Sequence, residues 1–273
     1  MKNILVPIDF SEHSEYALEV AAIIAQKKGS RLTVLHMIGI SEAILAKDET
    51  QEMEEARYYM NLVKERFSTF LDKEYLKDIE VTQIVQNYKI FNEINQVAEE
   101  QEIDLIVMGS HGTSGLKDVF VGSNTEKVVR TSNVPVLVIK EHMPSFKMEK
   151  MVLAWHFRDG CVENYRKARD FADGFKAKLC LVYINTPAYN FLSTHEAEDK
   201  LSQFMYNTGI REEVKIYNDY SVEKGILNYA ESIRADVIAV PTHGRQGLAH
   251  FVMGSIGEDI ANHSKKPVIT FRM

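Results

Sequence analysis

A glycine-rich segment near the middle of the chain has the residues that a phosphate site requires. Gly109, Gly112 and Gly115 follow an apolar run, and Gly122 and Ser123 begin a predicted helix. Glycines allow positive φ and close backbone approach, and the N–H groups of a helix N-terminus attract anions. The segment therefore predicts phosphate binding, with an ordinary strand-to-helix loop as the alternative. It matches neither the Gly-Lys-Ser/Thr ending of a Walker A loop nor the GxGxxG dinucleotide loop.

A carboxylate lies at the end of the first apolar run, at Asp9. A carboxylate repels phosphate, but it accepts an N–H from a base or a hydroxyl from a ribose. The alternative is that Asp9 serves only the entrance of the following helix, together with Ser11.

The elements that must position these residues alternate between strands and helices. The predicted strands of the first half are 3–9, 31–37, 80–85, 104–108 and 136–140, and the predicted helices are 11–28, 50–75, 91–100 and 123–131. Ser11 is the expected N-cap of the first helix and Gly29 its C-cap. Continuous apolar strands separated by helices indicate a parallel sheet covered on both faces. In such a sheet ligands bind beyond the carboxyl ends of the strands, where the strand order reverses. Asp9 and the glycine-rich loop are expected to meet there.

The chain repeats itself. The segment around Gly112 and Gly122 recurs 132 residues later, around Gly244 and Gly254. Segments nearer the N-terminus recur 147 residues later, so the first copy has 15 additional residues between about positions 38 and 80. These residues are expected mainly in the helix predicted at 50–75.

Length and composition set the class of protein. At about 150 residues per domain, 273 residues fit two domains, which we predict at 1–143 and 149–273. The net charge of -7 disfavours nucleic acid and anionic lipid as partners. The sequence has no apolar run of membrane-spanning length and no signal-peptide pattern at its start, so we expect a cytoplasmic protein. Two cysteines and scattered histidines argue against a disulfide framework and a metal site.

These segments resemble the universal stress protein family. Its motif Gly-x2-Gly-x9-Gly-Ser/Thr is matched from Gly109 to Ser123, and the segments 4–11, 35–37 and 134–139 also look like that family. The resemblance extends over both halves, which indicates a tandem member. It implies an α/β fold of two five-stranded parallel open sheets, each of order 3-2-1-4-5 with helices on both faces, similar to the adenine nucleotide alpha hydrolases.

The resemblance also implies an ATP site in the N-terminal domain. Asp9 and the backbone of Met37 would hold adenine, Gly109 would lie against the ribose, and the loop and helix start would hold the phosphates. The nucleotide-binding residues expected on this basis are Pro7, Asp9, Met37, Gly109, His111, Gly112, Gly122, Ser123 and Asn124. The expected cofactor is ATP, with or without Mg²⁺, and no residue is assigned as catalytic or as a protein ligand of a metal.

The second copy departs from the pattern. His156 stands in place of Asp9, and Pro241 in place of Gly109, while Gly254 still precedes a serine. Either this site is vestigial, or it takes a different apolar or anionic ligand beside Trp155. A metal held by His156 and His243 would lack the third protein ligand that zinc sites usually have.

Three functions remain open on the sequence alone. The chain is a regulatory ATP-binding protein of the stress response, a weak ATPase or nucleotidyl-transfer enzyme, or a pseudo-dimeric scaffold with a non-nucleotide ligand in its C-terminal domain. Phosphoryl transfer requires charge neutralisation and a positioned nucleophile. The loop offers His111 and Lys117 but no carboxylate pair for a metal, so binding is favoured over chemistry. The last strands, 135–140 and 267–272, are expected to pair within the chain because unpaired edges invite pairing. A further homodimer and the protein partner are left open.

Overall fold

The computed structural model describes residues 1–38, 49–87, 90–110, 122–155, 161–187, 191–242, 260 and 263–272. The strands are β1 (Asn3–Ile8), β2 (Arg31–Ile38), β3 (Val81–Asn87), β4 (Leu105–Gly109), β5 (Val136–Ile139), β6 (Lys150–Trp155), β7 (Lys178–Asn185), β8 (Val214–Asn218), β9 (Val237–Thr242) and β10 (Val268–Arg272). The helices are α1 (Glu12–Lys28), α2 (Glu49–Phe70), a 3-10 turn (Glu74–Leu76), α3 (Ile90–Glu100), α4 (Ser123–Thr131), α5 (Cys161–Phe175), α6 (Thr194–Thr208) and α7 (Val222–Ser232). Every helix in these ranges is too short or too polar to span a lipid bilayer.

The described residues group into two compact units. The first comprises the residues up to Ser110, with Gly122–Val128 and Ile139–Pro144. The second comprises Val129–Val138 and the residues from Ser145 onward. Most of β5 therefore belongs to the second unit, although it ends the first sequence copy.

The sheet of the first unit has the order β3-β2-β1-β4, and its neighbouring strands are parallel. At the end of β5, the carbonyl of Ile139 accepts the N–H of Ser110, 2.8 Å away, just past the end of β4. The middle strands are buried on both faces, which explains their continuous apolar sequences. The predicted order 3-2-1-4-5 is confirmed.

The sheet of the second unit repeats this order as β8-β7-β6-β9-β10, again with parallel neighbours. One antiparallel strand extends it, because β5 lies beside β10 with Val138 opposite Val268 and Val136 opposite Thr270. The two strands that end the sequence copies thus pair along these residues.

Two aspartates show that the sequence repeat is also a structural repeat. Asp104, before β4, accepts the N–H groups of Lys2 and Asn3 at the start of β1. Asp236, before β9, accepts the N–H groups of Glu149 and Lys150 at the start of β6, 2.8 and 2.9 Å away. Each carboxylate therefore links the starts of two neighbouring parallel strands.

The first helix begins and ends where its sequence predicts. The hydroxyl of Ser11 accepts the N–H of Ser14, and Gly29 ends the helix with a φ of 65°, which favours glycine. The additional residues of the first copy lie partly in α2, which has 22 residues against 15 in its counterpart α6. The helix predicted at 50–75 is shorter in the structure, where α2 ends at Phe70 and a 3-10 turn follows.

Candidate functional site

The carboxyl edge of the first sheet begins with the half-buried Asp9. Its Oδ1 accepts the N–H of Ser11, 3.0 Å away, and Ser11 in turn caps α1. The chain reverses at Phe10, whose φ of 62° lies in the left-handed region. Asp9 therefore has the helix-entrance role considered for it, and its side chain is fixed by that bond at the end of β1.

Strand β2 extends past the end of β1 and exposes main chain beside Asp9. The last pair between these strands is Ile8 with His36, whereas β2 continues along β3 through Met37. Arg31 donates its N–H to Lys2, so alternate residues from Arg31 onward direct their main-chain groups toward β1. The carbonyl of Met37 therefore points past the last residue of β1. This is where the resemblance expects the adenine contact.

Pro7 lies within the ladder rather than at its open end. It is in β1 opposite Leu35, two residues before Asp9. Proline has no N–H to donate, so its main-chain carbonyl is the one backbone group with which Pro7 can hydrogen-bond.

Gly109, the last residue of β4, is required by packing. A Cβ at this position would lie 2.6 Å from the carbonyl oxygen of His13 and 2.7 Å from its carbonyl carbon. Both atoms are backbone of α1, so the contact is not relieved by turning a side chain. The Gly109 carbonyl accepts the hydroxyl of Thr125, 2.9 Å away, which ties the start of α4 to the end of β4.

The residues that flank the glycine-rich loop, Ser110 and Gly122, are hydrogen-bonded to each other. The N–H of Gly122 donates to the carbonyl of Ser110 at 2.6 Å, and Gly122 accepts from Glu126 as α4 begins. The helix starts at Ser123 as predicted, and Asn124 is exposed. His111 and Gly112 lie outside the described residues, as do Gly115 and Lys117.

These elements give the edge two kinds of chemistry. On one side are a carboxylate and an overhanging strand carbonyl, which accept hydrogen bonds from a polar ring. On the other is the N-terminus of α4, whose first-turn N–H groups have no partner within the helix and favour an anion. A ligand with a nitrogen heterocycle at one end and phosphate at the other fits this donor and acceptor set.

His36 is a residue that the sequence left without a role. Its Nδ1 lies 2.9 Å from the carbonyl oxygen of Ile8, and its ring lies 4.5 Å from that of Phe10. Burial lowers the pKa of His36, as does the charge of Arg66, while the Ile8 hydrogen bond and Asp9 oppose the shift. Only its register opposite the end of β1 could have drawn attention to it.

The same edge of the second unit has an aromatic residue at its centre. Trp155 ends β6, is 3% exposed, and packs edge-on against Tyr165 and Phe204 at 6.3 and 5.4 Å. Its indole N–H is buried, and no described residue accepts it. Pro241 lies in β9 opposite Phe271. His156, His243, Gly244, Gly254 and Ser255 lie outside the described residues.

A cleft of about 490 Å³ lies elsewhere in the second unit. It opens at the starts of β7 and β8, because β8 joins β7 only from the pair Val214–Leu181, whereas β3 joins β2 already at Leu32. Charged and polar side chains line it, among them Lys178 and Glu213. It lies at the amino end of the strands, away from the edge equivalent to the Asp9 site.

The fold defines an open α/β protein, and its candidate site lies at the switch point of a parallel sheet. The family model described as the universal stress protein family matches residues 1–140 and again 150–272. The chain therefore belongs to the universal stress protein family, in a tandem arrangement.

Individual relatives cover one copy or both. A universal stress protein of Methanocaldococcus jannaschii is 33% identical over 160 residues, 51% of this chain and 94% of that protein. One of Synechocystis is 23% identical over 300 residues and covers both chains fully. The crystal structure of a universal stress protein from Archaeoglobus fulgidus superimposes with a TM-score of 0.64 at 22% identity, covering 99% of this chain and 96% of that one. At this identity, the similarity to the Archaeoglobus fulgidus structure shows a shared fold alone.

Proposed function

We propose that this protein binds ATP at the carboxyl edge of its first sheet and acts as a regulatory nucleotide-binding member of its family. The observation that carries the proposal is the meeting of three features. Asp9 directly follows β1, the carbonyl of Met37 extends past the end of that strand, and α4 begins beside the end of β4. Strand β4 is the other neighbour of β1, so the base side and the phosphate side flank one strand.

In this proposal Asp9 and Met37 receive the adenine, and the N-terminus of α4 receives the phosphates. The loop glycines, including Gly112, let the backbone approach the phosphate oxygens, and Mg²⁺ accompanies ATP as its phosphate counter-ion. We expect the site to bind ATP without turning it over, because the loop sequence offers no carboxylate pair for a metal that would neutralise the transferring phosphoryl group. Measuring phosphate release over hours at saturating ATP tests that statement, and sustained release would establish an ATPase.

The two copies act as an intramolecular pseudo-dimer in the same proposal, supported by the pairing of β5 with β10. Each of these strands would otherwise leave an edge able to recruit another chain. A cytoplasmic location belongs to the proposal as well, and cell fractionation checks it.

The most direct experiment identifies the small molecules released when the purified protein is denatured, with ATP as the expected product. The complementary experiment is calorimetry on a Gly112→Val variant. A valine side chain would occupy the space of the backbone contacts to phosphate, and we expect ATP affinity to fall by ~10–100-fold. Circular dichroism verifies that the variant is folded, and unchanged affinity in a folded variant would remove this loop from the site.

A further inference from the structure

His36 occupies the junction between β1 and β2. Its Nδ1 lies 2.9 Å from the carbonyl oxygen of Ile8. A carbonyl oxygen can only accept a hydrogen bond, so Nδ1 carries the proton. In the neutral ring the other nitrogen then holds a lone pair, and the tautomer is fixed by the end of β1.

The same imidazole also contacts the residue on the other side of Asp9. Its ring centroid lies 4.5 Å from that of Phe10, and Phe67 packs edge-on against both rings. Phe10 has a φ of 62°, a conformation that costs an L-residue ~1–2 kcal/mol and persists only where neighbours hold it. Ring packing against His36, Phe67 and Phe70 supplies that constraint.

The charged groups that face His36 come from two elements. Asp9 approaches from the end of β1, and Arg66 from α2. The guanidinium carbon of Arg66 lies 5.8 Å from the centre of the Phe10 ring. Opposite charges thus face a half-buried ring, and burial lowers its pKa.

We propose that His36 is a positioning residue for Asp9, because its Nδ1–H holds the carbonyl of Ile8; packing of its ring against Phe10 adds a smaller constraint. Asp9 lies between these two contacts, and its Oδ1 bond to Ser11 completes the fixed geometry. The inference rests on the proposed function, since the carboxylate so positioned is the one assigned to adenine.

The second copy supplies an independent comparison. Strand register places Tyr183 opposite Trp155 as His36 lies opposite Ile8. A tyrosine has no ring nitrogen to donate to the neighbouring carbonyl. In the sequence, the copy that keeps the aspartate has the histidine, and the copy with His156 in place of Asp9 has neither.

Two substitutions separate the parts of the proposal. His36→Phe keeps a ring but removes the donor. His36→Asn removes the ring but keeps a donor, because the asparagine amide nitrogen can occupy the place of Nδ1. A third variant, Val63→Ala, creates a small cavity at a buried position of α2 and leaves His36 intact. It controls for simple loss of stability.

The first measurement uses the full-length protein without nucleotide. In ¹⁵N spectra at neutral pH, we expect the Nδ1–H tautomer of His36, and the Nε2–H tautomer would overturn the proposal. The amide proton of Ser11 reports its bond to Asp9. We expect His36→Phe to speed exchange of this amide by about 3–10-fold, because one hydrogen bond is lost. In His36→Asn, the exchange rate should stay within about twofold of that in the parent. Equal acceleration in Val63→Ala and His36→Phe would reduce His36 to a packing role.

The second measurement is the affinity for ATP and GTP by calorimetry. His36→Phe should lower the preference for ATP by about 3–10-fold, with His36→Asn retaining most of it. A folded His36→Phe variant with the parent's preference would overturn the positioning role. If the parent bound no nucleotide, the proposed function would fail, while the tautomer and the Ser11 amide would still decide what His36 does.

Discussion

The carboxyl edges of the two sheets have the same strand order and different residues. Where the first has Ile8 and His36 opposite each other, the second has Trp155 and Tyr183. Strand β4 ends in a glycine packed on α1, whereas β9 contains Pro241. The structural aspartates, Asp104 and Asp236, are in contrast equivalent in sequence and in bonding. The two copies thus share the aspartates that join the strands and differ in the residues at the carboxyl edge.

The difference has a direction. Two changes at the second edge remove hydrogen-bonding capacity or add bulk: a proline has no N–H, and Trp155 fills space against Tyr165 and Phe204. We therefore expect the second edge to be less suited to a nucleotide than the first.

The strongest test of this comparison is stoichiometry. Calorimetry on the full chain should give about one ATP per chain, because only the first edge has Asp9 and Gly109 in place. The Asp9→Ala variant should lose more of its preference for ATP over GTP than of its total affinity, while Trp155→Phe, which changes the equivalent edge of the second unit, should leave both unaltered. A stoichiometry near two would show that the replacements in the second copy do not disable a site.

The next largest effect concerns stability at Gly109. A Gly109→Ala Cβ would collide with the backbone of His13, so we expect the first unit to lose ~1–3 kcal/mol, the cost of overpacking. The matched control is Gly174→Ala, in α5, where an added Cβ has no atom within 4 Å. That change should be neutral or stabilising by up to ~1 kcal/mol, since alanine favours helix.

Hydrogen exchange of the amides in β1 and β4 measures this difference. We expect faster exchange of β1 and β4 in Gly109→Ala. In Gly174→Ala, exchange in α5 should be unchanged or slower. If β1 and β4 exchanged at similar rates in Gly109→Ala and in the parent, α1 would have shifted at His13 to accept the added Cβ. Packing would then not explain the glycine at position 109.

A smaller effect is expected on base preference. Because Oδ1 of Asp9 is held by the Ser11 N–H, an Asp9→Asn side chain should keep its oxygen there and present its NH₂ group to the base. Adenine offers an amino donor at that place and guanine a carbonyl acceptor. The ATP-to-GTP affinity ratio should therefore fall by about tenfold, or ~1.4 kcal/mol, in competition binding. An unchanged ratio would separate Asp9 from the base.

Much of this architecture is readable from the sequence, because it depends on local patterns. Continuous apolar strands predict a parallel sheet, and the cap residues Ser11 and Gly29 predict the ends of the first helix. The order of the strands follows from the resemblance to the family. The contact of Gly109 with His13 joins residues almost a hundred positions apart, and no local pattern encodes it. The left-handed Phe10 is likewise set by tertiary packing, since an L-residue does not choose that conformation locally.

The smallest predicted effect is a pH dependence confined to the first unit. The pKa of His36 lies below its ordinary value of 6.5, chiefly because burial disfavours the imidazolium. Between the lowered pKa of the folded chain and about 6.5, the unfolded chain binds a proton that the folded chain does not, so the unfolding free energy decreases as the pH falls through this range. One such group contributes at most ~1.4 kcal/mol per pH unit, and its contribution is fully present above pH 6.5.

His36→Tyr installs the residue of the second copy, and burial raises the pKa of Tyr183 there, away from this range. Hydrogen exchange of β1 and β2 between pH 7 and 5, corrected for intrinsic rates, should show a shallower loss of protection in His36→Tyr than in the parent. The control His195→Asn removes an exposed histidine of α6 and should leave that slope as it is. A slope that is the same in the parent and in His36→Tyr would mean that His36 titrates alike in the folded and unfolded chains.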